Sequence, residues 1–181
     1  LHNHIWWTVE VVDTTAGRAI RQRLESSSRA QQEFVTHIDA TQGNVWKALI
    51  RPVLTVKYWY EARIESPWTV GAKGNFFHKK GKHPYATGTV LEYSPPHRLA
   101  YTFKSEPCRD CKESRITFTL EPDAGKVKLT VRHDQLPKTR GSKNVQEAWT
   151  TILSSLKSML EAGSRKRRKK RSPRRRRRRR R

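Results

Sequence analysis

Seven apolar residues near the C-terminus, Val145, Trp149, Ile152, Leu153, Leu156, Met159 and Leu160, recur at i, i+4, i+7, i+8, i+11, i+14 and i+15. This is one continuous apolar stripe along an α-helix. Asn144, with Glu147 three residues later, resembles a capping box at its start. Gly163 stands where a C-terminal stop is expected. About 18 residues at 1.5 Å each give a helix of roughly 27 Å, long enough to cross a whole sheet. A helix so apolar on one face must be covered, and that need constrains the rest of the chain.

The cover is supplied upstream by strands. Six strand-length segments separated by turn residues read as a meander: 62–65, 74–78, 86–93, 98–104, 114–121 and 126–133. The last two alternate cleanly. Ile116, Phe118 and Leu120 face one way, while Arg115, Thr117 and Thr119 face the other. Val127, Leu129, Val131 and His133 oppose Lys126, Lys128, Thr130 and Arg132. Such alternation puts one face on a core and the other in water. Pro122-Asp123-Ala124-Gly125 forms the hairpin turn between them. Ahead of the meander, 33–38 is strand-like, with Phe34, Thr36 and Ile38 on one face. Thr41 is a helix N-cap, and Val45, Trp46, Ala48 and Leu49 stripe a short helix ended at Pro52. Residues 54–60 read as a second short helix turning Trp59 inward.

Charge divides the 181-residue chain. It carries 39 Lys and Arg against 16 Asp and Glu, a net of +23, and 15 of the basic residues fall in 165–181 with no acidic one among them. Setting those aside leaves 24 basic against 16 acidic residues, a net of +8 for residues 1–164. The expected organisation is therefore an N-terminal arm over 1–32, one domain over 33–163, and a disordered polybasic tail over 164–181. In the arm, Ile5 to Val12 is a candidate strand. The tail, opening with Arg165, Lys166, Arg167, Arg168, Lys169, Lys170 and Arg171, is suited to nonspecific binding of polyanions such as nucleic acid. It has no scaffold with which to read base edges. No apolar stretch approaches the roughly 20 residues of a membrane span, and the N-terminus does not read as a signal peptide. Two cysteines, Cys108 and Cys111, cannot build a disulfide framework. The expected location is cytoplasmic.

The order of elements and several short runs resemble one known family. Phe34-Val35, Ala40-Thr41 and Val45-Trp46-Lys47-Ala48-Leu49 resemble its opening strand and first helix. Tyr58-Trp59-Tyr60, then Trp68 and Val70-Gly71, resemble the segment that follows. Gly88-Thr89-Val90-Leu91-Glu92 and Pro95-Pro96-His97-Arg98-Leu99 resemble its central hairpin. Val127 to Asp134 and Trp149 to Leu160 complete the match. The family is the one similar to the C-terminal domain of the activator of the heat-shock-protein-ninety ATPase, within the START-like (SRPBCC) superfamily. The resemblance spans nearly all of 33–163. It implies an α+β helix-grip fold: a curved antiparallel sheet wrapped around a long C-terminal helix, with two short helices after the first strand. It also implies a cavity between sheet and helix, where superfamily members hold hydrophobic ligands. The chaperone-stimulating role of the namesake usually involves a separate N-terminal domain, for which residues 1–32 are too short.

Within that frame the candidate lining residues are Trp46, Trp59, Trp68, Phe76, Tyr101, Phe103, Phe118, His133, Trp149, Leu153 and Leu156. Large rings ordinarily pack a core; a cavity wall with a few polar groups is the functional alternative. Tyr101 and His133 are the candidate polar handles. Cys108-Arg109-Asp110-Cys111 is a single CxxC, short of the four ligands of a structural zinc site even with His78, His83 and His97 in the chain. His37, Asp39, Glu92, His133 and Asp134 fall into no hydrolase, metalloprotease or phosphate-loop motif. The expectation is a non-enzymatic module without a cofactor, binding a small hydrophobic ligand. A chaperone partner is the alternative.

Overall fold

The structure, a computed structural model, describes residues 30–107, 112–136 and 141–171, with side chains outside 30, 141–143 and 165–171. The candidate strand at 5–12, the Cys108–Cys111 pair and the end of the tail lie outside the described residues. Seven strands form one antiparallel sheet in the order β1-β7-β6-β5-β4-β3-β2. They are β1 (Ala30–Ile38), β2 (Ala62–Glu65), β3 (Lys73–His78), β4 (Pro84–Ser94), β5 (Arg98–Ser105), β6 (Ser114–Asp123) and β7 (Lys126–Leu136). The sheet curls into a half-barrel around the terminal helix α3 (Gly141–Arg171), the helix-grip arrangement. Short helices α1 (Gln42–Ile50) and α2 (Pro52–Thr55) follow β1.

Local chemistry accounts for these elements. The Thr41 hydroxyl accepts from the Asn44 N–H and starts α1, which buries Val45, Trp46, Ala48 and Leu49. Arg51 is extended (φ −99°, ψ 120°), as a residue before proline prefers, and Pro52 opens α2. The β6–β7 hairpin turns on Ala124 and Gly125, both at positive φ, and pairs Asp123 with Lys126. Two left-handed central residues match the right-handed twist of the flanking strands.

Two expectations are corrected. The second short helix stops at Thr55 instead of running over 54–60. Thr55 is fully buried; its hydroxyl donates to the Pro52 carbonyl (3.2 Å) and accepts from the Ile64 N–H (3.2 Å), drawing the chain back to β2. Tyr60 (φ 46°) and Glu61 (φ 57°) then occupy left-handed conformations that no right-handed helix admits. The terminal helix also neither starts at an Asn144 cap nor stops at Gly163. It begins at Gly141 and runs on to Arg171, 31 residues in all. The expected boundary of a disordered tail at 164 therefore does not coincide with the helix end. Gly163 is not at positive φ. Lys and Arg are good helix formers and sit favourably against the dipole at a helix C-terminus.

Glycine substitutions test the sheet packing and the helix end. A Cβ on Gly88 would lie 1.8 Å from the Thr102 carbonyl oxygen of the neighbouring strand, a backbone atom that cannot swing aside. Gly88→Ala is expected to cost about 3 kcal/mol in denaturant unfolding. A Cβ on Gly163 meets nothing within 4 Å. Gly163→Ala is expected to stabilise by about 0.5–1 kcal/mol, as in a helix interior. Destabilisation there would mean that the helix stops at Gly163 after all.

Candidate functional site

The concave face of the sheet and the inner face of α3 meet in an aromatic cluster. Trp149 is its hub, with ring centroids 5.2 Å from Trp59, 5.9 Å from Phe118, 6.2 Å from Phe34 and 6.0 Å from His133. Phe76 extends the cluster across β3 to β5, 5.7 Å from Tyr101 and 5.2 Å from Phe103. Tyr101 in turn lies 6.3 Å from Trp68 and 5.9 Å from Phe118. Leu153 and Leu156, one turn and two turns along the helix, are buried beside it. Trp46 is buried in the same core, and its ring contact is with Tyr93, at 5.5 Å. Of the expected lining residues, Trp59, Trp68, Phe76, Tyr101, Phe103, Phe118, His133 and Trp149 thus form one ring-to-ring network, with Trp46 to one side.

The polar groups inside form a chain. The Trp149 indole N–H donates to His133 Nδ1 (3.1 Å), and His133 Nε2 lies 2.8 Å from the Ser114 hydroxyl. The Ser114 hydroxyl donates to the Phe103 carbonyl (3.2 Å). Nδ1 must be unprotonated to accept from an indole, so the imidazole is neutral with its proton on Nε2. Burial lowers the His133 pKa from 6.5 to about 4, outweighing the opposing pull of the Asp134 carboxylate. Three tyrosines border the same space. The Tyr58 hydroxyl donates to the Ala48 carbonyl (3.1 Å). Tyr85 is pushed up to about 12 by burial, against a hydrogen bond from Trp59. Tyr101 is raised well above 10 by burial first, then by the charges of Tyr58 and Tyr85.

Sequence reasoning missed Ser114, Tyr58, Tyr85 and Phe34 as members of this interior. Ser114 lies in phase with Ile116 and Phe118, so alternation could have placed it inward. Tyr58 and Tyr85 sit beside turns, where period gives no signal. No helix among the described residues is long and apolar enough to cross a membrane.

Comparison with known proteins fits this architecture. The family model described as Activator of Hsp90 ATPase homolog 1-like protein matches residues 39–161. The chain belongs to this family. Among solved structures it resembles a Mesorhizobium loti protein, MLL2253 (TM-score 0.65, 20% identity, covering 74% of this chain and 98% of that one). It also resembles the Aha1 dimer from Colwellia psychrerythraea (0.62, 20%, 74% and 98%). A third is an HSP90 activator from Plasmodium falciparum (0.62, 16%, 72% and 95%). At these identities the likeness is one of fold. No curated protein matches the chain.

The His133 chain predicts a pH dependence. Because the folded pKa lies below that of the unfolded chain, this contribution is fully present above about pH 6.5. It is lost as pH falls through about 4, approaching about 3 kcal/mol. Urea unfolding at stepped pH should show the wild type losing more stability over this window than His133→Gln. Parallel curves for the two proteins would refute the assignment.

Proposed function

We propose that the domain is a non-enzymatic START-like module that shelters a small hydrophobic ligand between the sheet and α3. The aromatic network under Trp149 is the observation that carries this reading. It offers a large apolar surface, and Tyr101 and His133, the polar side chains among the expected lining residues, would orient a ligand. The lining would be Trp59, Trp68, Phe76, Phe103, Phe118, Trp149, Leu153 and Leu156, with Trp46 of α1 to one side. Because these rings already touch one another, a ligand enters by parting α3 from the sheet.

Native mass spectrometry and organic extraction of the purified protein test this. The expected result is a bound apolar molecule of defined mass. Tyr101→Phe, which keeps the ring and removes only the hydroxyl, should weaken binding of that molecule several-fold without loss of fold. Protein that purifies empty, and takes up no fatty acid or aromatic probe, would sink the reading.

A second reading has its own support. Interior polar groups already have partners in Trp149–His133–Ser114, Tyr58–Ala48 and Trp68–Ile50. Such a filled interior serves equally a domain that works from its surface as a co-chaperone. Stimulation of a chaperone ATPase by ligand-free protein supports this reading. No stimulation at saturating protein excludes it.

The basic segment is a separate element. Arg165 to Arg171 continue the backbone of the core helix. Electrophoretic shift with unrelated nucleic acids should show sequence-independent binding that weakens steeply with salt. Deletion of residues 165–181 is expected to abolish it. Binding that survives the deletion would move the polyanion site onto the domain.

A further inference from the structure

The convex face of the sheet carries a pocket that shares no side chain with the aromatic interior. It is a depression of about 240 Å³ over β4 to β7. Its floor is Ala100 and Thr117, only 4% and 6% exposed although they lie on the outer face. Three arginines, Arg98, Arg115 and Arg132, line it. One wall is made by a β-bulge in β4. Val90 pairs with Tyr101 and Glu92 with Ala100, so Leu91 is an additional residue, and both Leu91 and Glu92 line the pocket. Bulges of this kind re-aim side chains beside functional sites.

The guanidiniums are held in place from one edge. Arg98 Nε donates to Glu92 Oε2 at 2.8 Å. Arg115 Nε and Arg132 Nε lie 3.1 and 3.2 Å from the two oxygens of Asp134, whose side chain is only 9% exposed. No described residue accepts a hydrogen bond from the Nη groups of these three arginines. Three guanidiniums against two carboxylates leave a single positive charge. Farther along the same face Lys128 is paired with Glu121.

We infer that this pocket binds the carboxylate of a small organic acid. A planar carboxylate matches guanidinium edges in two-point contact. One negative charge neutralises the excess, whereas a phosphate dianion would overshoot it beside buried Asp134. Ala100 and the Leu91 side chain offer apolar surface to the hydrocarbon part of the acid. The volume suits a molecule of about ten heavy atoms, at the small end of ligand sites.

NMR titration of the full chain with benzoate, acetate and inorganic phosphate tests the inference. Benzoate should shift the amides of Ala100, Thr117 and Arg132, with acetate binding more weakly and phosphate weakest. Arg98→Gln and Arg132→Gln should each lower benzoate affinity about tenfold, the loss of one charge-assisted contact. Glu92→Gln, which raises the excess from one charge to two, should tighten binding. Arg98 and Glu92 are 49% and 43% exposed, so their variants keep the fold even if Arg132→Gln, which leaves Asp134 with Arg115 alone, does not. Three results would each overturn the inference: no shift at these amides under saturating benzoate, unchanged affinity in folded Arg98→Gln, or phosphate binding tighter than benzoate.

Discussion

The hydrogen bond from the Trp149 indole to His133 is the constraint on which the grip depends. Apolar contact alone would hold α3 against the sheet but would leave its rotation and axial position loosely set, because the hydrophobic effect has no direction. The indole N–H supplies the direction. It reaches β7 at His133, which reaches β6 at Ser114, which reaches β5 at the Phe103 carbonyl. One buried polar chain therefore ties the helix to three adjacent strands. Each link contributes about 1 kcal/mol net, yet breaking one strands a buried partner at about 1–3 kcal/mol. That asymmetry makes the chain a register pin for the whole helix.

Much of this was legible in the residues and some was not, for physical reasons. The β6–β7 pair and the α3 stripe were read from periodicity alone, because each buries one face, and burial of one face imposes a strict period. The N-cap at Thr41 and the break at Pro52 were read from local chemistry. The stretch up to Tyr60 was misread as helical because the chain leaves the helix at Thr55, which bonds Ile64 in a tertiary contact with no local signature. Gly163 was misread as a stop because glycine permits a left-handed cap but does not require one. The pairing of Ser114 with His133 across 19 residues could not be seen in either segment, although the alternation phase put both on the same face. The bulge at Leu91 broke the alternation in β4 and hid the convex pocket.

The two faces of β7 are joined at successive residues. His133 points into the apolar interior and Asp134 onto the convex surface between Arg115 and Arg132. The Asp134 carboxylate pulls the His133 pKa up, and burial pushes it down. Burial is the larger of the two effects, and the imidazole stays neutral. Only a neutral histidine can accept the Trp149 bond at Nδ1. The long helix began as a lid demanded by an apolar stripe. It is held in register by a hydrogen bond whose acceptor stays neutral because the helix and sheet bury it.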